Sequence, residues 1–438
     1  MDTHSIAARP ESARQNLFAG ISQLFTLLLV VAIIVLAIPA RAQQRSEIAQ
    51  LIAKYGFKTN IVKPAGGILT HEYLVPAGPY TQLFDWDTYF MGVALSYDGV
   101  GKPLENSAMD FLDATDSRWA TTGYTPRQID TVAFDALPQM CKPFLAQMAL
   151  RASETLHDYN WLRQPSRVND EDDARTYYQK LGDSLVFWDI ARRSPDGLYR
   201  WFNGLESGVD NNPAVSDNPA NVTEGVDLQC YIYREYLAMA ALATKLGNAA
   251  DARMYQQKAS ALAQLVRAKM WSGRDGMFLN IDSRTGKLVH IKTWTNFVPL
   301  WVGIATKQQA NQMIREHLLN PGEFWSPNGI RTIAATEPLY NPRSGYWRGP
   351  VWVVSNYMLM HGLEDYGYKA QAVELARKTV DVLVRDLRKT SGMNENYNPE
   401  TGAPDAAGHF VSWDLLSEHI LEEAQTGADP AAIPAIEK

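Results

Sequence analysis

Gly225-Val226-Asp227-Leu228-Gln229-Cys230-Tyr231-Ile232-Tyr233-Arg234-Glu235-Tyr236-Leu237-Ala238-Met239-Ala240-Ala241-Leu242-Ala243-Thr244-Lys245-Leu246-Gly247 decides the fold. Val226, Leu228, Tyr231, Ile232, Leu237, Met239 and Leu242 fall on most sides of a helical wheel. Such a helix has no broad wet face and is packed all round. Tyr366 to Leu387 reads the other way. Val373, Ala376, Val380, Leu383 and Leu387 recur at three- and four-residue steps, with Glu374, Lys378, Asp381 and Arg385 opposite. That pattern is an amphipathic helix with one side in water.

The two kinds alternate along the chain. Inner helices, apolar on most faces, are predicted near 86–97, 137–150, 225–245, 293–303, 347–363 and 410–423. Outer ones are predicted near 103–113, 174–192, 249–270, 306–318 and 366–387, and 46–56 supplies the sixth. Six of each is the count for an all-α (α/α)6 barrel. Short pairwise connections also suit an α-solenoid, which would show a repeat of fixed period. The sequence has no such repeat, so the closed barrel is expected. One extended insertion interrupts the helices. Met277 to Ile281 and Leu288 to Ile291 read as a hairpin about a turn at Asp282 to Gly286.

Residues 1–42 read as a secretory leader. Arg9 and Arg14 give a basic start, Leu24 to Ala40 is nearly all apolar, and Ala40-Arg41-Ala42 suits signal peptidase. An uncleaved anchor is the rival reading, because the apolar run approaches the roughly 20 residues that span a bilayer. From residue 43 to 438 no linker or composition break appears, so one catalytic domain is expected there. The net charge of −7 and the lack of a basic block argue against nucleic acid and against anionic membranes once the leader is gone. The 12 tryptophans and 20 tyrosines suit stacking on sugar rings, although large core aromatics account for most of them. Cys141 and Cys230 lie in apolar helical sequence and are expected to be buried free thiols. No zinc-type Cys/His spacing is present, and a lone Asp282 falls short of a calcium site. No cofactor is therefore implied.

In a barrel of helical hairpins, the loops leading into successive inner helices gather at one end. The polar, Gly/Pro-rich stretches fall there: 67–85, 114–136, 194–224, 320–346 and 388–409. Loops this long are commonly functional. Two of them carry carboxylates in turn-rich surroundings: Glu206-Ser207-Gly208-Val209-Asp210-Asn211-Asn212-Pro213 and Asn394-Glu395-Asn396-Tyr397-Asn398-Pro399-Glu400-Thr401-Gly402. Two opposed carboxylates are what glycosidic cleavage needs, one as proton donor and the other to activate water or attack carbon. Read alone, Asp210 also suits an Asx turn, and Glu395 a solvated loop carboxylate.

Asp85-Trp86-Asp87-Thr88-Tyr89-Phe90, Glu206 to Pro213, Tyr346-Trp347-Arg348-Gly349-Pro350-Val351-Trp352 and Glu395 to Gly402, in that order, resemble glycoside hydrolase family 63. The likeness is strongest to its compact bacterial mannosylglycerate and glucosylglycerate hydrolase-like members. It implies an inverting α-glycosidase on an (α/α)6 barrel, acting on a small carbohydrate, and the leader implies export. Asp210 matches the general acid and Glu395 the general base, with Glu400 the rival in the same motif. Trp86 and Asp87 match the sugar subsite, and Tyr346 to Trp352 a pocket-lining segment. The related trehalases have a glycine-rich signature and a second glutamine-tryptophan-aspartate signature that are absent here, so a trehalase is less expected.

Further substrate contacts are expected from Asn211, Trp347, Arg348 and Trp352, and from Arg127 and Gln139 on or beside the second long loop. A structural ion pair is the other role for Arg348, and Trp413 is expected in the core. Arg331 and Arg343 are candidates to meet an anionic aglycone. A polysaccharide lyase on the same toroid would want a cationic cleft, which the net charge opposes. A silent glycan-binding protein would be expected to have lost one carboxylate, and both are present. Oligomeric state leaves no mark in the sequence.

Overall fold

In the computed structural model, residues 1, 46–115, 123–132, 138–166 and 175–433 are described. The leader with its cleavage site, and parts of the second long loop, lie outside these residues. The chain divides into a unit of residues 1–50 and a unit of residues 51–438, and the architecture below is that of the larger one. Among the described residues no helix is long and apolar enough to cross a membrane.

Six inner elements form the core of an (α/α)6 toroid. They are Asp85–Ser96, Leu145–Leu156, Val226–Lys245, Trp294–Phe297 with Val298–Trp301, Val353–Asp365, and Ser412–Glu418 with Ile420–Thr426. Each packs on the next, and Ser412–Glu418 packs back on Asp85–Ser96. That closure separates a barrel from a solenoid. Val226–Lys245 is buried on nearly every side, as its lack of a polar face requires.

The outer helices are Lys102–Asp113, Tyr177–Ala191, Ala249–Lys269, Lys307–Met313 running on through a π-turn at Ile314–Leu318, and Lys369–Thr390. Glu47–Tyr55 is helical where the sixth was expected. The buried face of Lys369–Thr390 centres on Leu375, Ala376, Thr379, Leu383 and Leu387. Val373 and Val380 sit at its edge, half-buried. Cys141 and Cys230 are both buried free thiols.

Some helices start on a side-chain cap and others do not. The outer helices at Tyr177, Lys307 and Ala249 carry side-chain N-caps, with capping boxes at Thr176/Gln179 and Thr306/Gln309 and Asn248 accepting from the Asp251 amide, whereas those at Lys102 and Lys369 carry none. Inner helices at Asp85, Val226 and Val353 follow extended Phe84, Gly225 and Trp352, which offer no side-chain cap. Asp85, Asp87 and Asp227 instead lie in first turns, where a carboxylate complements the helix dipole.

Three inner helices are shorter than expected. Residues 138–144 and 347–352 are extended or turn, and the last inner element opens with a tight turn at Ser412–Glu418. Gly349 at φ 147° and the following Pro350 break any helix over 347–352. The insertion also differs. Its strand stops at Phe278, which pairs with Trp271–Ser272. Ile281–Asp282 begins a second pairing, with Lys287–Leu288 on one side and Thr223–Glu224 on the other. Asn394–Tyr397, expected as a loop, is a strand paired with Pro404–Gly408.

Candidate active site

The segment 345–352 holds two loops against each other. On one side, Asn211 donates through its side-chain amide to the Gly345 carbonyl (2.8 Å) and accepts from the Trp347 amide (2.9 Å). The Arg348 Nε donates to the Asn211 carbonyl at 2.7 Å. On the other side, Val351 and Tyr397 exchange backbone hydrogen bonds of 2.7 and 3.0 Å. The Asp210 loop and the Glu395 strand therefore share one clamp. Tyr346 within it has φ 59°, a strained left-handed backbone for a bulky residue. Its carbonyl accepts from Trp352 Nε1 at 3.0 Å, and Trp352 stacks on Trp347 at 3.7 Å and 7°.

Each carboxylate is aimed by local structure. Asn203 caps the short turn at Glu206 (2.9 Å), and Asn212 caps the turn at Ala214 (3.0 Å), leaving Asp210 between them. Gly208 permits the close approach, since a Cβ there would meet Lys142 Cε at 2.6 Å and the Trp86 ring at 2.9 Å. The turn is anchored by Glu206, which is fully buried, pairs with Arg192 at 2.8 Å and accepts from the Met140 amide. Glu395 sits where the register of the Asn394–Tyr397 pairing slips between Asn394 and Asn396. Such bulges re-aim a side chain beside active sites.

A pocket of about 270 Å³ results, near the lower end for small-molecule sites. Asp210, Glu395, Trp86, Asp87, Arg127, Trp347 and Trp352 all line it. Gln139, Asn211 and Arg348 do not appear in this wall. Gln139 is buried. Asn211 is spent on the clamp. Arg348 is spent on the Asn211 carbonyl and on Asp217 at 3.0 Å, the ion-pair role. Arg331 is held by Glu400 at 2.7 Å and by the Pro321 and Glu323 carbonyls, so neither Arg331 nor Glu400 reaches the pocket. Arg343 is exposed and absent from the pocket wall.

The lining also holds residues that the sequence did not single out for the site. Tyr80 donates to Glu395 Oε1 at 3.0 Å. Lys142 bonds Asp85 at 2.9 and 3.1 Å, and its own amide donates to the same carboxylate at 2.8 Å. Phe410 also lines the pocket, and Trp413, expected in the core, reaches its wall and packs edge-on to Trp86 at 5.3 Å. A lysine in the apolar stretch 137–150 was the available signal for a buried ion pair.

That pair yields a prediction. Lys142 and Asp85 are both nearly fully buried. Removing one partner strands a charge in low dielectric, whereas replacing both by apolar groups does not. Lys142→Met is expected to destabilise the fold by about 3–5 kcal/mol, and Asp85→Leu/Lys142→Met to recover most of that. Urea denaturation of the three proteins checks it.

The electrostatics differ between the carboxyls. Burial pushes Asp210 up to about 6, with Arg127 and Lys142 pulling down and Glu395 and Asp85 pushing up. Among the described residues no group hydrogen-bonds its carboxyl. Burial also raises Glu395, but the hydroxyls of Tyr346 (2.8 Å) and Tyr80 (3.0 Å) both donate to Oε1 and oppose the shift. Asp87 is raised to about 7 by burial, against the hydrogen bond from Ser412. Chemically, burial raises both carboxyls, but only Glu395 has hydrogen-bond donors that oppose the rise and support its ionised form.

Among the described residues, His71, Asp110 and Asp113 alone group as possible metal ligands. Asp110 Oδ1 already accepts from Thr70 and His71, and none of the three lines the pocket.

Comparison with known proteins bears on the family. A mannosylglycerate hydrolase of Rubrobacter radiotolerans is 31% identical over 194 residues, covering 42% of this chain and 40% of that protein. The chain thus spans less than half the length of this relative. The crystal structure of a family 63 mannosylglycerate hydrolase from Thermus thermophilus, with Tris and D-glycerate, superposes with TM-score 0.65 at 20% identity, over 84% of this chain and 99% of that one. Neutral trehalase from Saccharomyces cerevisiae superposes with TM-score 0.60 at 16% identity, over 86% and 82%. At these identities the likeness is one of fold. The family model for the mannosylglycerate hydrolase MGH1-like glycoside hydrolase domain matches residues 112–413, a span that holds Asp210, Tyr346 and Glu395. The chain belongs to that family.

Proposed function

We propose that this protein is an inverting α-glycosidase that hydrolyses a small α-mannoside or α-glucoside, with Asp210 as general acid and Glu395 as general base. The observation that carries the reading is the asymmetry of the two carboxyls in one pocket. Two tyrosine hydroxyls converge on Glu395 Oε1 and, with the Ala407 amide, oppose the rise that burial causes, which suits a carboxylate that takes a proton from water. Asp210 has no such donors and is raised by burial, so it keeps a proton for the leaving oxygen. Inversion needs this division, with the two carboxyls about 6.5–9.5 Å apart to admit the water. Trp86, Trp347 and Trp352 form an apolar wall for the sugar ring, and Asp87 offers an acceptor to its hydroxyls.

The family and the D-glycerate complex of the structural neighbour support a glycerate aglycone. Arg127 lines the wall, donating to the Leu205 carbonyl at 3.3 Å, and we infer that its charge meets a carboxylate-bearing aglycone. We further infer export, on the strength of Leu24 to Ala40 and Ala40-Arg41-Ala42. The test is kcat/KM for the purified protein on mannosylglycerate, glucosylglycerate, trehalose and neutral α-linked disaccharides. The glycerate reading expects the two glycerates to lead by at least about tenfold, roughly the worth of one charge-assisted contact. Trehalose leading instead supports the trehalase-like reading that the second fold neighbour suggests.

A further inference from the structure

Asp87 lines the pocket, yet among the described residues only one side chain hydrogen-bonds its carboxylate. That group is Ser412, whose Oγ donates to Asp87 Oδ1 at 2.7 Å across 325 residues of chain. Ser412 is fully buried and touches no pocket space. Its backbone is unusual, with φ 22° in a non-glycine residue. Strain of this kind persists where the surroundings over-determine it. Here the surroundings are the Pro76 carbonyl, which accepts from both the Val411 amide (2.9 Å) and the Ser412 amide (3.1 Å). The same 76–80 turn carries Tyr80, which donates to Glu395. Gly78 in that turn has φ 64°, and a Cβ there would meet the Gly408 carbonyl at 2.9 Å.

We propose that Ser412 is a positioning residue. It pins Asp87 Oδ1 so that Oδ2 faces the sugar, and through Pro76 it joins this acceptor to the frame that holds the base. The inference rests on the reading of Asp87 as sugar-facing. It makes Ser412 act on substrate binding without touching substrate. An acceptor that serves ground state and transition state alike changes KM and leaves kcat.

The experiment uses the full chain with Ser412→Ala, Ser412→Gly, Asp87→Ala and Asp87→Ala/Ser412→Ala. The substrate is whichever of mannosylglycerate, glucosylglycerate or trehalose is turned over fastest. Ser412→Ala and Ser412→Gly should each raise KM about tenfold with kcat within about twofold, since a hydrogen bond to a charged group is lost. Glycine relieves the backbone strain, so it guards against a folding defect in the alanine variant. In the Asp87→Ala background, which has no acceptor for the Ser412 hydroxyl, the same change should move KM less than about twofold. A fall in kcat at unchanged KM, or a tenfold KM rise that recurs without Asp87, would overturn the role of Ser412. Asp87→Ala without effect would overturn the sugar-facing reading beneath it.

A second readout needs no turnover. Asp85, Lys142, Glu395 and Tyr80 all bear on the charge of Asp87, whose carboxyl lies near 7. The Ser412 bond favours the ionised form, so Ser412→Ala should lower Tm more at about pH 8 than at about pH 5. A loss equal at both would mark simple packing and contradict the inference.

Discussion

Asp210→Asn is expected to lower kcat by about 10³-fold while leaving the fold intact, the usual scale for losing a positioned proton donor. The same variant should be more stable than the parent at high pH. Asp210 is raised from 3.8 to about 6 in the folded chain, so its protonated form is the one the fold favours. The stability this contributes is complete below about 3.8 and is lost as pH rises through about 6. Asparagine cannot ionise and escapes that loss, by up to about 3 kcal/mol at pH 8 and by little at pH 4. Turnover and thermal melts at the two pH values check both halves. A variant that loses activity and stability together at pH 8 would point to a broken fold. The parent enzyme should likewise lose kcat/KM as pH rises through about 6, as Asp210 surrenders its proton.

Glu395→Gln is the second large effect, again about 10³-fold in kcat, with KM near that of the parent. The hydroxyls of Tyr80 and Tyr346 make this loss specific. They hold Oε1, so the amide keeps its place in the pocket and loses only its basicity. Tyr346→Phe should cost far less, because Tyr80 still donates to the same oxygen. Combining Asp210→Asn with Glu395→Gln should cost much less than the product of the two losses, since acid and base act as one unit. Single-turnover rates for the three variants decide this. Fully multiplicative losses would mean that the two carboxyls serve separate steps.

The alternation of inner and outer helices was legible because burial on all sides and burial on one side leave different periodicities. Val226–Lys245 and Lys369–Thr390 show this at full length. The pattern misled where pocket walls imitate cores. Tyr346 to Trp352 is as apolar as an inner helix, but its tryptophans stack on each other to floor a pocket, and Gly349-Pro350 already spelt the break. Asn394–Tyr397 was hidden as a strand because its alternation is polar and its partner lies beyond a turn.

Within the site, the motif residues Trp86, Asp87, Asp210, Trp347, Trp352 and Glu395 came together in one wall. Their supports did not announce themselves. Tyr80 reaches Glu395 across 315 residues and Lys142 reaches Asp85 across 57, and no local pattern encodes a pairing at such distance. Arg348 and Asn211 showed the converse. Adjacency to the motif marked them, but their hydrogen bonds face the clamp and not the cavity.

Proton NMR of the first sugar released tests the central claim most directly. Hydrolysis of mannosylglycerate or glucosylglycerate should yield the β-anomer first, followed by slow mutarotation, and Asp210→Asn and Glu395→Gln should each abolish the signal. Initial release of the α-anomer would mean retention, and would contradict the assignment of Glu395 as a base acting through water.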